Sequence, residues 1–346
     1  MSLKEVYGPY FKMGVALPGW ALSDPRTLEN MSKEYHTFTC ENEMKPEGFL
    51  DREENLRDPK AHDRSPAVHL SQRIRGMLDF AKENHFLVRG HTLVWHGQTP
   101  RWFFSKNYED SWEAPLADRE TMLARMEYYI RSVVQLVEHE YPGIVYAWDV
   151  VNEAVNDGDL RKSLWTETVG EDFFMYAFRY ARKYCAKGVS LFYNDYTTYE
   201  AWKRDIIMEK ILKPLMAEKL VDGMGMQSHL LMNDPAMEEY EKTVEIYGAT
   251  GLELNITELD IHNADPSEAS MDALAERYEQ LFTILLRVKK SGIANVTNVT
   301  LWGLHDDASW LTGFRREKSY PLLFEKDFTP KKAYYAVIGV PEKLGK

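Results

Sequence analysis

Ile144-Val-Tyr-Ala-Trp-Asp-Val-Val-Asn-Glu153 is a short, mostly apolar run that ends in an amide and a carboxylate. Pro142-Gly143 separates it from the segment before it. Runs of this length and composition are typical of parallel strands covered on both faces. Side chains that directly follow such a strand lie at its carboxyl end, where α/β proteins place their functional groups. The run therefore predicts a buried parallel strand that presents Asn152 and Glu153 at a functional surface.

Seven further runs of this type are spread along the chain, and amphipathic helical stretches lie between them. The eight predicted strands are Phe11–Ala16, His36–Cys40, Leu87–Val94, Ile144–Val151, Val189–Tyr193, Gly223–Gln227, Glu253–Thr257 and Asn298–Leu301. Such alternation indicates βαβ units and a parallel sheet. Eight strands favour an α/β fold of the closed (β/α)8 TIM-barrel class. A doubly wound sheet is the alternative, but no glycine-rich fingerprint follows the first strand.

The helical stretches show apolar residues at helical spacing. One stripe is Met122, Met126, Tyr129, Val133 and Val137, and a second is Leu274, Tyr278, Leu281, Leu285 and Val288. A barrel needs about 250 residues and can exceed about 400 with insertions. We therefore expect residues 1–346 to form a single catalytic barrel domain, with a long polar loop insertion near residues 50–69.

Composition and charge restrict the classes of function. The net charge of −12 argues against a nucleic-acid partner, because phosphates would repel the protein. Neutral, hydroxyl-rich substrates fit this charge better than acidic polymers do. Nine tryptophans supply aromatic faces that pack well on apolar surfaces, although aromatics are also ordinary core residues.

The amino-terminal residues carry no basic start followed by an apolar run, and no stretch has the roughly 18 apolar residues of a membrane helix. We expect a cytoplasmic protein without a membrane partner. The two cysteines, Cys40 and Cys185, are expected to be free thiols rather than a disulfide.

Two glutamates stand at the predicted carboxyl ends of the fourth and seventh strands, which face each other across a barrel. They are Glu153 and Glu258, and each directly follows an apolar run. Glycoside hydrolysis requires one protonated and one ionised carboxyl group on either side of the scissile bond. A separation of about 5–5.5 Å would give retention of anomeric configuration. The pair therefore favours a glycoside hydrolase.

Four motifs then point to one family. His91-Thr-Leu-Val-Trp-His96, Trp148-Asp-Val-Val-Asn-Glu153, Gln227-Ser-His229 and Ile256-Thr-Glu-Leu-Asp260 resemble glycoside hydrolase family 10, the β-1,4-xylanases. The match runs from about Phe11 to Val340 in the family's order. The resemblance implies a retaining endo-1,4-β-xylanase that hydrolyses xylan or xylo-oligosaccharides by double displacement through a covalent glycosyl-enzyme.

The resemblance also implies roles for individual residues. Glu153 would be the general acid/base, and Glu258 the nucleophile. Asn152 would donate to the 2-hydroxyl of the sugar being cleaved, His229 would hold Glu258 ionised, and Asp260 would orient that histidine. The substrate-binding residues would be Glu41, Asn42, Lys45, His91, Trp95, His96, Gln98, Tyr196, Gln227, Trp302 and Trp310. Of these, Trp302 and Trp310 would crowd the position of the CH₂OH group of glucose, so that xylose is preferred.

Three alternatives stay open from the sequence. A metal-dependent hydrolase could use His91, His96, His229 and Asp260 as ligands, although our expectation is that there is no metal and no cofactor. A sugar-binding barrel without activity is disfavoured by the presence of both glutamates. A relative that acts on cellulose or mannan is the third alternative, and rates on aryl xylobioside and aryl cellobioside would separate it from a xylanase. The sequence leaves the oligomeric state and the preferred chain length of the substrate undetermined.

Overall fold

The computed structural model describes residues 1–345. All eight predicted strands are present, and their ends differ from the prediction by a few residues. They are β1 (Lys12–Leu17), β2 (Thr37–Cys40), β3 (Leu87–Trp95), β4 (Val145–Asn152), β5 (Ser190–Asp195), β6 (Gly223–Met226), β7 (Glu253–His262) and β8 (Asn295–Leu301). Short additional strands lie at Val155–Asn156, Asp159–Leu160 and His229–Leu231.

Helices separate the strands throughout. They are α1 (Leu3–Tyr7), α2 (Pro25–Glu34), α3 (Pro46–Phe49), α4 (Arg52–Arg57), α5 (Gln72–Glu83), α6 (Arg119–Glu140), α7 (Leu164–Thr168), α8 (Phe173–Tyr184), α9 (Ala201–Ile206), α10 (Lys213–Ala217), α11 (Met237–Gly248), α12 (Glu268–Ser291), α13 (Leu311–Arg315) and α14 (Lys332–Lys343). A π-helical turn, Ile207–Leu212, joins α9 to α10, and single 3-10 turns lie at Gly19–Ser23, Arg101–Phe104, Lys106–Tyr108 and Asp306–Ala308.

The chain divides into two compact units, and the first contains Met1–Thr39, Tyr196–Glu200 and the residues from Gly223 onward. Within it, β1 pairs with β8, β8 with β7, and β7 with β6, all in parallel. The strand His229–Leu231 also pairs with β7, so that His229 lies opposite Asp260. This register brings the polar ends of two segments together.

The second unit contains Cys40–Asp195 and Ala201–Asp222. Within it, β4 lies between β3 and β5, and all three strands run parallel. The register places Trp95 beside Asn152, and Asn152 beside Asn194. Because these residues end their strands, a row of polar and aromatic side chains forms at one edge of this sheet.

The two long helices illustrate why these segments fold as they do. Asp118 caps α6 by accepting from the backbone N–H of Thr121, and Ser267 caps α12 by accepting from that of Ser270. Gly292 ends α12 with a φ of 75°, which glycine adopts without steric cost. All ten residues of the two predicted stripes are buried, so each helix covers its strands with one apolar face.

The segment near residues 50–69 is more ordered than the polar loop that the sequence predicted. It contains α4, which Asp51 caps, and an antiparallel bridge between Leu50 and Val68. The buried side chain of Asn55 donates to the carbonyl groups of Asp51 and Ala67, which closes the segment on itself. Sequence reasoning missed this because the bond from Asn55 to Ala67 joins residues twelve apart and leaves no local pattern.

Cys40 and Cys185 are free thiols, as predicted. Within residues 1–345, none of the helices combines the length and the apolar character needed to cross a membrane. The single-domain organisation of the chain stays a prediction.

Candidate active site

Glu153 lies in the second unit, directly after β4. Its backbone N–H donates to the carbonyl group of Asn194 at 2.9 Å, and its own carbonyl accepts from Nε of Arg161 at 2.8 Å. Its φ is 57°, in the left-handed region that side chains other than glycine rarely adopt. These two bonds hold the backbone of Glu153 in that conformation.

Neutral donors surround the carboxylate of Glu153. Trp95 Nε1 donates to Oε2 at 3.0 Å, and Asn152 Nδ2 lies 3.3 Å from Oε1. Asn194 donates to Oδ1 of Asn152 at 2.9 Å, which fixes the amide so that its nitrogen faces the carboxylate. His96 lies 3.9 Å away, and burial, followed by the positive charge of Arg161, lowers the pKa of His96 to about 4. At neutral pH this ring is therefore uncharged.

A buried ion pair lies in the same unit, near Glu153. Lys203 Nζ is 2.7 Å from Asp195 Oδ1, and both side chains are almost inaccessible to solvent. The hydroxyl of Tyr193 also donates to Asp195 and accepts from the backbone N–H of Ala154, the residue after Glu153. Burial raises the pKa of Asp195 to about 6 although Lys203 opposes this shift. The network ties the end of β5 to the loop that carries Glu153.

The predicted contacts for a second sugar form a connected group, which we call the clamp: Glu41, Asn42, Lys45 and Gln98. Lys45 donates to Asn42 Oδ1 at 3.0 Å, and its ammonium lies 5.0 Å from the centroid of the Trp95 ring. Gln98 Nε2 lies 3.5 Å from the same oxygen of Asn42. Burial raises the pKa of Glu41, while Lys45 opposes the shift.

Glu47, which the sequence did not identify, supports the clamp through Gln98. Gln98 Nε2 donates to Glu47 Oε1 at 2.9 Å, and the backbone N–H of Glu47 donates to the carbonyl of Gln98 at 2.9 Å. Gln98 has a φ of 46°. Because the amide nitrogen of Gln98 faces Glu47 and Asn42, its amide oxygen is directed elsewhere. Glu47 thus sets which end of this amide a ligand would meet.

His91 is buried in the second unit, and its Nδ1 lies 2.9 Å from Asp149 Oδ2. Arg89 forms an ion pair with the same carboxylate. Asp149 therefore fixes the orientation of the ring. Direct binding of sugar by His91 stays a prediction.

Glu258 lies in the first unit, within β7, and is 5% exposed. His229 Nε2 is 3.1 Å from Glu258 Oε2, and His229 Nδ1 is 2.9 Å from Asp260 Oδ1. Burial alone would lower the pKa of His229, but the charge and hydrogen bond of Asp260, followed by those of Glu258, raise it to about 10. The ring therefore carries a positive charge at neutral pH, and this charge favours the ionised form of Glu258.

The two predicted tryptophans of the aromatic wall both contact this histidine. The Trp310 ring lies 4.9 Å from the His229 ring, and Trp310 Nε1 donates to Asp260 Oδ2 at 2.8 Å. The Trp302 ring is edge-on to His229 at 6.3 Å. The wall therefore fixes the same carboxylate–histidine pair that borders Glu258.

Phe314 extends this wall and was missed by the sequence analysis. Its ring lies 4.6 Å from that of Trp310, and the side chain is 65% exposed. The spacing of four residues from Trp310, at the start of a short helix, is the signal that could have found it. Its position makes it a candidate contact for a ligand that reaches Trp310.

Two further predicted residues lie in the first unit. Gln227 is buried, and its carbonyl accepts from the backbone N–H of Glu258 at 2.9 Å. Tyr196 is half-buried and begins the segment Tyr196–Glu200, which Thr243 and Tyr247 hold through bonds to backbone carbonyls. The binding roles of both residues stay predictions. Among the described residues, no group of three or more His, Cys, Asp or Glu side chains is arranged to hold a metal ion.

Comparison with known proteins decides the family. The profile of Glycosyl hydrolase family 10 matches residues 2–340. The chain belongs to this family. The fold class is therefore the (β/α)8 barrel of the family, which confirms the prediction from the strand pattern. The chain is 57% identical to endo-1,4-β-xylanase B of Butyrivibrio fibrisolvens, over 98% of this chain and 53% of that protein.

Other family 10 members resemble the chain over most of its length. It is 35% identical to an endo-1,4-β-xylanase of Geobacillus stearothermophilus, over 98% of both proteins. Among solved structures, the CBM22-1–GH10 modules of Clostridium thermocellum xylanase 10B, complexed with xylohexaose, match with a TM-score of 0.88 at 33% identity, over 98% of this chain and 67% of that one. The family 10 chain spans 53% and 31% of the lengths of its Butyrivibrio and Thermotoga maritima relatives.

Proposed function

We propose that this chain is a retaining endo-1,4-β-xylanase that uses Glu153 and Glu258 together. The observation that carries the proposal is the different surroundings of the two carboxylates. Glu258 borders a positively charged histidine, whereas Glu153 is bordered by neutral donors from Trp95 and Asn152. The charge of His229 therefore favours Glu258 as an ion and suits it to act as the nucleophile, which leaves the role of acid/base to Glu153. This is the asymmetry that a retaining glycosidase requires.

The proposed reaction has two displacements. In the first, Glu258 attacks the anomeric carbon while Glu153 gives its proton to the departing glycosidic oxygen, so that one C–O bond forms and one breaks. In the second, Glu153 takes a proton from water, the water oxygen attacks the same carbon, and Glu258 leaves as a carboxylate. His229 stabilises the carboxylate of Glu258 at both ends of this cycle, and Asp260 and Trp310 hold the ring network in place.

The proposed substrate is xylan or xylo-oligosaccharide, as the names of the related enzymes suggest. Trp302 and Trp310 supply the wall that would crowd the CH₂OH group of a hexose. A pocket that excludes one such group disfavours the larger substrate by only about 1–3 kcal/mol of transition-state free energy. We therefore expect residual activity on glucosides. The clamp would bind the second sugar on the donor side through its amide and ammonium groups.

The test is hydrolysis of an aryl β-xylobioside, followed by NMR of the first-formed anomer. We expect the β-anomer, and accumulation of the α-anomer first would overturn the retaining mechanism. Glu258→Gln should abolish turnover and prevent covalent labelling by a 2-fluoro-xylobioside in mass spectrometry. Glu268→Gln, at an exposed position of α12, is the matched control and should retain wild-type rates. Comparison with an aryl β-cellobioside tests the sugar preference, and a faster rate on the cellobioside would reject xylan as substrate.

A further inference from the structure

Trp112 is the most exposed large apolar side chain among the described residues. It lies in the loop between β3 and α6, and its side chain is 88% exposed. An indole ring in water gives up the burial that ordinarily stabilises a tryptophan in a fold. An exposed indole ring on a loop that is held by hydrogen bonds is a candidate binding surface.

The loop that carries Trp112 is closed firmly at its base. The backbone N–H of Lys106 donates to the carbonyl of Pro115 at 2.8 Å, and the backbone N–H of Ala117 donates to the carbonyl of Phe104 at 2.8 Å. The buried hydroxyl of Ser105 donates to the carbonyl of Glu109 at 2.6 Å. The tip is therefore held by bonds across the loop.

Arg101 supports the tip from within the loop. Its guanidinium donates to the carbonyl groups of Ser111, Trp112 and Ala114 at 3.2, 2.9 and 3.1 Å. The same group lies 5.3 Å from the centroid of the Trp112 ring. One face of the ring is thus backed by a cation, and the high exposure leaves the other face open to a ligand.

The position of the loop connects it to the clamp. Arg101 follows Gln98 closely in the chain, and Gln98 contacts Asn42 and Glu47. A second link is the ion pair of Arg52 with Asp110, at 3.1 Å, which joins the tip to the segment after the clamp. Trp112 therefore lies on the same stretch of the second unit as Gln98 of the clamp, and an ion pair ties its loop to the segment that follows the clamp.

We propose that Trp112 is a stacking platform for a distal xylose unit of a long, uncharged β-1,4-xylan chain. This inference rests on the proposed xylanase function and extends its donor side. An open flat ring suits the flat apolar face of a pyranose and leaves room for the chain to continue. Glu109, Asp110 and Glu113 are close neighbours of Trp112 in the sequence, so the loop disfavours an acidic ligand. A protein partner would need about 1,000 Å² of complementary surface, and a single ring at an acidic tip does not supply this.

The experiment compares Trp112→Ala with Tyr335→Ala, a control at an aromatic residue of α14 that is 59% exposed. Initial rates are measured on aryl β-xylobioside, xylohexaose and soluble xylan. We expect Trp112→Ala to raise KM for xylohexaose and xylan about two- to tenfold, the range of a single aromatic contact. Its kcat/KM on aryl xylobioside should match the wild type, and Tyr335→Ala should match it on all three substrates.

Two outcomes would overturn the platform. An unchanged KM for xylohexaose and xylan would show that Trp112 does not bind the chain, and an equal loss on the short and long substrates would show a structural effect. Both are distinguishable from failure of the proposed function, because in that case the wild type itself would not cleave aryl xylobioside. Arg101→Gln gives a second measurement: it should reproduce part of the rise in KM for xylohexaose, since the tip would lose its support.

Discussion

His229 Nε2 lies 3.1 Å from the carboxylate of Glu258, and this single contact connects the charge state of the histidine to that of the proposed nucleophile. The other ring nitrogen is committed to Asp260 at 2.9 Å. A ring between two carboxylates retains its proton strongly, and the carboxylates are in turn held as ions.

Folding raises the pKa of His229 from its ordinary 6.5 to about 10, because the two carboxylates outweigh the effect of burial. The folded state therefore binds this proton more tightly than the unfolded chain does. The resulting stabilisation is fully present below about pH 6.5 and is lost as the pH rises through about 10. The free energy of unfolding of the wild type minus that of His229→Gln should therefore shrink from pH 6.5 to 10.

Denaturant unfolding at several pH values measures this difference. His139→Gln, at an exposed histidine of α6, is the control and should show no such decline. A difference for His229→Gln that stays constant up to pH 10 would contradict the assignment of the proton to this ring.

Replacement of the proposed acid should separate substrates by their leaving groups. Glu153→Ala should slow hydrolysis of xylobiosides with poor leaving groups by about 10²–10⁴-fold, the contribution of a general acid. The first displacement on a dinitrophenyl xylobioside should change little, since that leaving group needs no proton. Pre-steady-state release of the phenol measures this step. Equal losses on both classes of substrate would remove Glu153 from the role of acid.

Glu47→Gln should weaken the clamp without affecting the chemical step. The new amide side chain at position 47 would offer a donor as well as an acceptor. The amide of Gln98 could then rotate and exchange the positions of its nitrogen and oxygen. We expect KM for aryl xylobioside to rise about two- to tenfold, the value of one hydrogen bond, with kcat nearly unchanged. Glu53→Gln, an exposed acid on α4, is the matched control. A fall in kcat with unchanged KM would place Glu47 in the chemistry instead.

Lys203→Met should destabilise the fold, because it leaves Asp195 buried without its cation. Removal of one partner of a buried ion pair typically costs about 3–5 kcal/mol. Burial already raises the pKa of Asp195 to about 6, so the orphaned carboxyl can take up a proton in acid. The loss in the free energy of unfolding should therefore be larger at pH 8 than at pH 5.

The matched control for this variant is Lys213→Met. Lys213 pairs with Glu209 at 2.8 Å, but both side chains are exposed, and such pairs contribute at most about 1 kcal/mol. Unfolding in urea at the two pH values compares the variants. A loss for Lys203→Met that is the same at both pH values would show that Asp195 stays ionised.

The sequence predicted the strands well because each is a concentrated apolar run. It placed the end of the seventh strand too early, at Thr257, whereas β7 continues to His262. The extension alternates charged residues with Leu259 and Ile261, and buried charges such as Asp260 hide a strand from a reading based on hydrophobicity. The charged residues in this part of β7 thus interrupt the apolar pattern by which the strand could have been recognised.

Many of the residues predicted at strand ends are buried or hydrogen-bonded, but their partners could not be predicted. Lys203 meets Asp195, Arg161 meets the carbonyl of Glu153, and Glu47 meets Gln98 only after folding. No regular spacing in the sequence relates the two members of each pair, so their contact could not be predicted. Trp112 was equally hidden, because sequence alone does not distinguish an exposed tryptophan from one in the core.

The left-handed backbone of Glu153 has a consequence for how this protein would change under selection. An αL conformation costs a residue with a side chain about 1–2 kcal/mol, whereas glycine adopts it freely. Glycine at this position would relieve that backbone cost while deleting the proposed acid. A screen of variants for heat resistance alone would favour inactive variants with glycine in place of Glu153. A search for a more heat-stable enzyme must therefore select for turnover at the same time.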